Sequence, residues 1–270
     1  MSTTDDFARD WHAWHEAHEA RRSDPLGFLA VTGLFWLGPE PLDLPGAPGV
    51  WRLGAHGPEV DLAPGEQLVL GEKVLSGRHA FGPITSGAGI AVAFGDGEVQ
   101  GSVEIADRGG RIILRPRRSD APYLVAYEGT PAYPADARWR VPARFIAQEA
   151  PRSATVGSVV DGLEHVFSSP GSLEFEIDGA LHRLTAFAAG DQGALQVLFR
   201  DGTSGVTTYA ASRSLAVPAP DEDGATVLDF NRAVNLPCAY TDHATCPLPP
   251  AENRLPVAVE AGEQVPASRA

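Results

Sequence analysis

The sequence lacks the segments that direct a chain to a membrane or through it. Its first residues, MSTTDDFARDWHAWHEAHEARRS, contain no basic start followed by an apolar stretch, so we expect no secretory signal. No run approaches the roughly eighteen consecutive apolar residues that a transmembrane helix needs. Cysteine is scarce, since only Cys238 and Cys246 occur. Two cysteines in a chain without a leader indicate a reducing compartment, and we expect a cytoplasmic protein.

Positive charge is also scarce, because the formal net charge of the 270 residues is -14. Such a chain repels phosphate backbones and anionic membrane surfaces. The one dense basic cluster is LRPRR, with Arg115, Arg117 and Arg118, and we interpret it as a solvated sheet edge. We therefore predict no nucleic acid and no membrane as partners. A small-molecule ligand or substrate remains, and the sequence is compatible with a homodimer.

The sequence also lacks the motifs of several well-known enzyme classes. It contains no P-loop, no G-x-G-x-x-G after a strand, no H-E-x-x-H, no G-x-S-x-G and no calcium-loop pattern. These absences argue against the corresponding nucleotide, metalloprotease and hydrolase families. We expect neither a cofactor nor a metal.

The residues that are present predict a mainly β fold. Hydrophobic residues make up 43% of the chain, and 23 prolines and 29 glycines suit short strands joined by tight turns. Hairpins are indicated by SVEIADRGGRIILRP, SLEFEIDGALHRLTAF and ALQVLFRDGTSGVTTYAASRSL. We predict an antiparallel β-sandwich or a barrel-like fold, formed as a single domain over residues 1–270, with an N-terminal α-helix and a Pro-rich C-terminal strap.

The N-terminal helix is predicted over residues 1–23, with Thr4 or Asp5 as its cap and a break at Asp24-Pro25. Four residues lie on one face of this helix, at spacings of four, three and four residues, and this stripe is expected to pack onto a sheet. They are Phe7, Trp11, Trp14 and His18. Three residues off the stripe could ligate a metal but are interpreted as a solvated face: His12, His15 and Glu19. A second short helix is predicted around Asp136 to Ala143.

The segment NLPCAYTDHATCPLPPAENRL, residues 235–255, holds both cysteines and has little periodicity. Cys238, His243 and Cys246 give the spacing C-x4-H-x2-C, which is short of a complete zinc site. A disulfide, a nucleophilic thiol with His243 as base, and two inert buried thiols are the alternatives. The sequence leaves them open and favours the inert thiols.

Polar residues in the late hairpin and the tail form a candidate site, provided that the two segments are neighbours. Arg213 would hold an anionic or carbonyl oxygen, and Asp229 or Tyr209 would move a proton. Five further residues would contact the substrate: Thr208, Asn231, Asn235, Cys238 and Asn253. The same side chains could instead bond loop backbones and have purely structural roles.

Three blocks of the sequence resemble a known family, so the resemblance spans nearly the whole chain. The N-terminal W…R…DPLGFLAVTGLFWLG fits the opening of that family. DFNRAVNLPCAYTDHATCPLPPAENRLPVAVEAGE (residues 229–263) and FRDGTSGVTTYAASRSL (residues 199–215) are similar to the signature of the bacterial and archaeal domain-of-unknown-function family number 1684. The resemblance implies a shared fold and motif and no particular reaction. The residues of this chain that match the motif positions of the family are Asp201, Thr203, Gly205, Thr208, Tyr209, Arg213, Asp229, Asn231, Asn235, Cys238, Cys246, Asn253 and Glu263.

The chain departs from the expected family pattern at two positions. Leu236 stands where we expect proline, and His243 stands where we expect tyrosine. The second departure weakens both the zinc and the Cys–His interpretations, because a site that accepts tyrosine is a poor metal site. The segment is best interpreted as a proline-stiffened strap with polar groups at a pocket rim.

The resulting hypothesis is a metal-independent enzyme that acts on a small polar organic molecule, as a hydrolase or as a catalyst of condensation or isomerisation. The alternative is a non-catalytic small-ligand-binding β-barrel, whose cavity would be lined by Trp36, Trp51 and Trp139. A third hypothesis is a partner-binding module with an exposed apolar face.

Overall fold

The computed structural model describes residues 3–85, 89–95, 97–190 and 192–267, with side chains from Asp6 onward. Helix α1 runs from Thr3 to Arg22, which confirms the predicted N-terminal helix. The predicted caps Thr4 and Asp5 lie outside the residues whose side chains are described. No helix in the described ranges combines the length and the apolarity needed to cross a membrane.

The chain forms two compact units. The smaller unit comprises Ala20–Glu128 and Thr241–Ala244, and the larger unit comprises Met1–Glu19, Gly129–Tyr240 and Thr245–Ala270. Each is described by itself, and the single-domain organisation stays a prediction.

The described residues of the smaller unit form ten strands and one short helix. They are β1 (Phe35–Trp36), β2 (Leu42–Asp43), β3 (Val50–Gly54), β4 (Gly57–Asp61), β5 (Leu68–Leu70), β6 (Lys73–Leu75), β7 (Arg78–Ala80), β8 (Gly89–Phe94), β9 (Gly101–Arg108), β10 (Arg111–Arg118) and α2 (Pro122–Val125), with a 3-10 turn at Phe28–Ala30. One antiparallel sheet has the order β1-β10-β9-β8-β5-β6, and a second has the order β2-β3-β4-β7.

The smaller unit's core follows from period-two alternation along its strands. On β9, Val103 and Ile105 are fully buried and join Trp51 and Leu68 in one apolar cluster. Glu104 lies between them in sequence and therefore on the opposite face of the sheet. The β9–β10 hairpin, predicted from the Arg-Gly-Gly turn, is confirmed by eight antiparallel residue pairs.

Where it is described, the larger unit contains helix α1 up to Glu19 and seven strands. They are β11 (Arg140–Gly157), β12 (Glu164–Ile177), β13 (Ala180–Ala188), β14 (Leu195–Phe199), β15 (Arg213–Val217), β16 (Ala225–Asp229) and β17 (Val234–Asn235), with 3-10 turns at Ala137–Trp139, Phe230–Arg232 and Pro237–Ala239. They form one antiparallel sheet in the order β16-β11-β12-β13-β14-β15-β17. The mainly antiparallel β fold with an N-terminal helix is confirmed.

Two sequence expectations about the larger unit need correction. The helix predicted around Asp136 to Ala143 is wrong, because only Ala137–Trp139 form a 3-10 turn. Strand β11 begins at Arg140, and its burial alternates with period two as far as Arg144. The Pro-rich strap is not confirmed as one element. Its residues form two 3-10 turns, strand β17 and isolated bridges at Pro247, Arg254 and Glu263.

Candidate functional site

Arg213, at the start of β15, is buried among groups of the protein itself. Its side chain is 1% exposed, and Nη2 lies 3.3 Å from Oδ2 of Asp201. Nη1 donates to the carbonyl of Ala261 at 2.5 Å, and Nη2 donates to the carbonyl of Val259 at 3.2 Å. Burial lowers the pKa of Arg213, and the charge of Asp201 opposes this shift. The guanidinium therefore ties β15 to the C-terminal residues.

The carboxylate of Asp201 completes this buried network. It accepts hydrogen bonds from Thr203 Oγ1 at 2.9 Å and from the backbone N–H of Val259 at 2.7 Å. Thr203 Oγ1 also lies 2.9 Å from Oγ1 of Thr208. These contacts give Arg213 and Thr208 a structural role, while their roles in holding a substrate stay predictions.

The amides of Asn231 and Asn253 are engaged with the backbone. Asn253 is fully buried; its Oδ1 accepts from the N–H of Thr185 at 2.7 Å, and its Nδ2 donates to the carbonyls of Thr185 and Leu198. Asn231 likewise accepts from the N–H of Asp136 at 2.9 Å and donates to its carbonyl at 3.0 Å. Asn253 fastens its loop to strands β13 and β14, and Asn231 joins the 3-10 turn Phe230–Arg232 to Asp136, which precedes the turn Ala137–Trp139. Both have the backbone contacts that the structural alternative expected.

Asp229, at the end of β16, lines a small pocket of about 200 Å³ together with Arg140, Arg232 and Asp10. Its Oδ1 accepts from Nδ2 of Asn231 at 2.9 Å, and its Oδ2 lies 3.5 Å from Nε of Arg232. Asp229, one of the three predicted catalytic residues, therefore lies at a pocket of the larger unit.

Tyr209 and the two cysteines also have backbone contacts. The hydroxyl of Tyr209 donates to the carbonyl of Cys238 at 2.8 Å. The backbone N–H of Cys238 contacts Sγ of Cys246 at 3.2 Å, and both cysteines are buried thiols. Among the described residues, no group of three His, Cys, Asp or Glu side chains could hold a metal ion. The proton-transfer role of Tyr209 and the substrate contact of Cys238 stay predictions.

The arrangement most typical of acid–base chemistry involves His18 and Glu263. Glu263 is 1% exposed, and its Oε2 accepts from the backbone N–H of Asn235 at 2.6 Å and from the hydroxyl of Tyr240 at 3.2 Å. Its Oε1 lies 3.4 Å from Nε2 of His18, whose side chain is 21% exposed. A buried carboxylate thus faces an imidazole that solvent reaches. We call His18, Glu263, Asn235 and Tyr240 the His18–Glu263 site.

Neighbouring groups hold the His18–Glu263 site in place. The His18 ring stacks on Trp14, with ring centroids 5.3 Å apart and an interplanar angle of 14°. Trp11, on the same helix, donates its indole N–H to the carbonyl of Asn231 at 2.8 Å. The Tyr240 hydroxyl lies 2.9 Å from Oγ1 of Thr130. Helix α1 therefore packs through the predicted stripe of residues, and this packing places His18 next to the carboxylate of Glu263.

Sequence reasoning found only part of the His18–Glu263 site. It placed His18 on a docking stripe, it selected Asn235 as a substrate contact, and it reached Glu263 through the family resemblance alone. It did not select Tyr240. No local pattern joins the two ends of the chain, so the pairing of His18 with Glu263 has no sequence signal.

Two other pockets lie in the larger unit. One of about 650 Å³ has Phe145 and Leu195 among its apolar lining residues and Asp221 and Asp223 among its acidic ones. The other, of about 470 Å³, is lined in part by Trp139.

The other two tryptophans proposed to line a cavity belong to the smaller unit. Trp51 is fully buried in the apolar core, and Arg111 covers the ring of Trp36 at 4.0 Å. Whether these tryptophans contact a ligand stays a prediction.

Comparison with known proteins identifies the family without a reaction. A solution NMR structure of an uncharacterized protein from gene locus rrnAC0354 of Haloarcula marismortui is 36% identical, with a TM-score of 0.43, and the match covers 51% of this chain and 77% of that one. No curated protein matches. The family model described as protein of unknown function (DUF1684) matches residues 125–264, which is half of the chain. The chain therefore belongs to the DUF1684 family.

Proposed function

We propose that the protein is a cytosolic enzyme that acts on a small polar organic molecule by general acid–base catalysis at His18. One observation carries the proposal: a buried carboxylate, Glu263, is held by Asn235 and Tyr240 with one oxygen and faces His18 with the other. A base that is oriented by a second group is the recurring arrangement of hydrolases and of proton-abstracting enzymes.

In this proposal the imidazole of His18 is the base, and its Nε2 faces the carboxylate of Glu263. A carboxylate only accepts hydrogen bonds, so the tautomer with a proton on Nε2 suits this contact. When the imidazole takes a proton from a water or a carbon acid, the imidazolium that forms faces the negative charge of Glu263. The proton then returns to the leaving group or to another carbon of the product.

Three residues hold Glu263 and His18 for this role. The N–H of Asn235 and the hydroxyl of Tyr240 donate to Oε2 of Glu263 and so fix the orientation of its carboxylate. The stack of His18 on Trp14 restricts the rotation of the imidazole. Glu263, Asn235, Tyr240 and Trp14 are positioning residues in this proposal, and His18 is the catalytic residue.

The proposal is tested with chromogenic and isotopic probes. Purified full-length protein is assayed with 4-nitrophenyl acetate for hydrolysis, and with pyruvate in D₂O for exchange of the methyl protons, which reports proton abstraction. His18→Gln is expected to lower the measured rate by about 100-fold or more, the usual contribution of a general base. His12→Gln is the control, because His12 is exposed on the same helix.

Two outcomes contradict the proposal: turnover of neither probe by the wild type, or an unchanged rate in His18→Gln with a native circular dichroism spectrum. Tyr240→Phe provides a milder variant in case a change at the buried Glu263 unfolds the protein. It removes one donor to Glu263 and is expected to lower the rate several-fold without abolishing it.

A second candidate function is non-catalytic binding of a small ligand, and the pocket of about 650 Å³ favours it. Its apolar lining, with Phe145 and Leu195, suits an uncharged aromatic molecule. A fluorescent neutral naphthol is expected to bind the wild type and to lose affinity in Ala188→Leu, which would fill the pocket. Equal fluorescence changes in both proteins would rule this pocket out as the binding site.

A further inference from the structure

The smaller unit contains a cluster in which three arginines share one carboxylate. Oε1 of Glu104, on β9, accepts from Nη2 of Arg115 at 2.6 Å and from Nη2 of Arg108 at 3.2 Å. Its Oε2 accepts from Nη2 of Arg117 at 2.5 Å. We call these four residues the arginine cluster. Its positive charge exceeds its negative charge, in a chain whose net charge is -14.

Within the cluster, the guanidinium group of Arg108 lies near that of Arg115. The pKa of Arg108 is lowered, first by burial and then by the charge of Arg115, although Glu104 and Asp107 oppose the shift. Asp107 does not neutralise the cluster on the same face, because alternation places it opposite Glu104 and Arg108, and its Oδ1 accepts from the N–H of Gly110. An anion beside Arg108 would relieve the repulsion between the two guanidinium groups.

A pocket of about 610 Å³ lies next to the arginine cluster, and Arg108 and Arg117 line it. Both side chains are held in place, since Nη1 of Arg117 donates to the carbonyl of Leu26 and Nη1 of Arg108 to that of Asp107. The two side chains are 23% and 22% exposed. Within the described residues, Nε of either arginine has no protein acceptor. Two fixed guanidinium groups therefore keep donors for a ligand.

The pocket's floor is made of small residues. Gly89, Ala91 and Ala93 of β8 lie opposite Ala106, Glu104 and Ser102 of β9, so they share the face that carries the arginine cluster. All three are exposed. Residues this small leave room above the sheet, and Val69, which lies opposite Ala93, adds apolar surface. The pocket thus combines an apolar surface on β8 with the positively charged side chains of Arg108 and Arg117.

We propose that this pocket binds a small organic anion, in which one carboxylate or phosphate contacts Arg108 and Arg117 and a short apolar part covers Ala91 and Ala93. Guanidinium groups bind both oxyanions through paired N–H donors. The pocket belongs to the smaller unit, and nearly all of that unit lies outside the residues matched by the family model. The proposal is independent of catalysis at His18.

The test is calorimetric titration of the full-length protein with hexanoate, hexyl phosphate and hexanol as probes. Hexanoate or hexyl phosphate is expected to bind saturably, and the tighter of the two identifies the preferred oxyanion. Hexanol is expected to bind at least about 10-fold more weakly, since it lacks charge-assisted hydrogen bonds. Arg108→Gln is expected to weaken anion binding by a similar factor.

Two further variants separate the pocket from general charge effects. Ala91→Leu leaves the charge unchanged and fills the floor, so it is expected to weaken hexanoate and hexyl phosphate alike. Arg144→Gln removes one positive charge from an exposed position of the larger unit and is expected to bind both anions as the wild type does. The proposal is overturned if neither anion binds, if hexanol binds equally well, or if all variants bind alike.

Discussion

At the scale of single residues, the buried polar groups divide into those that fasten the fold and those arranged for chemistry. Arg213 is enclosed by Asp201 and two backbone carbonyls, and these contacts support the fold. His18 combines partial exposure with a buried, oriented carboxylate. Residue type alone does not separate them, because both arginine and histidine occur in each role.

The enclosure of Arg213 leads to a stability prediction. Arg213→Ala is expected to lower the free energy of unfolding by about 3–5 kcal/mol, since it leaves the carboxylate of Asp201 buried without its cation. Urea denaturation measures the change, with the exposed Arg144→Ala as control. Unchanged stability together with lost activity would instead support the substrate-binding role expected from the sequence.

Glu104 makes the free energy of unfolding depend on pH in the acidic range. Burial alone would raise the pKa of Glu104, but the hydrogen bonds and charges of Arg115 and Arg117 outweigh it and hold the pKa below its usual value of 4.5. A carboxyl group with a lowered pKa stabilises the fold above its unfolded pKa, and this contribution is lost as the pH falls through the folded pKa.

Glu104→Gln is therefore expected to be less stable than the wild type at neutral pH, with the difference shrinking as the pH falls from about 5 to about 2. Urea denaturation across that range measures it, and Glu222→Gln, at an exposed position, is the control. A difference that stays constant with pH would show that the arginines do not stabilise the charged form.

At the scale of elements, helix α1 acts as the support of the candidate active site. Its stripe docks through Trp11, which is 7% exposed and donates to the carbonyl of Asn231. Trp14 lies about one helical turn after Trp11, His18 lies one turn after Trp14, and all three are on the same face of the helix. The helix is therefore needed to place the imidazole at Glu263.

Trp11→Phe tests this coupling between docking and the site. The variant keeps most of the apolar contact but loses one buried hydrogen bond, so we expect a loss of about 1–2 kcal/mol in unfolding free energy. We also expect a lower rate with any probe that depends on His18. Native stability combined with an unchanged rate would show that α1 docks without Trp11's help.

Strands and hairpins were predictable where local chemistry determines them. The Asp178-Gly179 turn was recognisable because both residues adopt positive φ, 51° and 78°, which this dipeptide tolerates. The start of β11 was mistaken for a helix because two residues of alternation, Val141 and Ala143, are too few to reveal the period. The His18–Glu263 pair was out of reach, since tertiary folding alone brings those residues together.

At the scale of the whole molecule, the chain combines two compact units with different sequence relationships. The larger unit contains most of the family match, whereas the smaller unit contains the arginine cluster and lies largely outside it. The negative net charge spans both units, so the arginine cluster is a local exception.

This charge balance predicts discrimination against polyanions. A labelled 20-base-pair DNA duplex, its length chosen at about two helical turns, is expected to show no anisotropy change with the protein at physiological salt. Small anions can still bind at the arginine cluster, because the pocket beside Arg108 and Arg117 is too small to admit a DNA duplex. Salt-dependent binding of the duplex at micromolar protein concentration would contradict both the charge argument and the confinement of the anion site.

The most direct test of the account is a rate-based double-mutant cycle at the His18–Glu263 site. It measures kcat/KM for His18→Gln, Glu263→Gln and the double variant, on whichever probe the wild type turns over. If Glu263 acts through His18, each single change removes the same unit, and the double variant is no slower than His18→Gln alone. Losses that multiply in the double variant, with all three proteins folded, would show that the two residues act independently and would contradict the proposed catalysis.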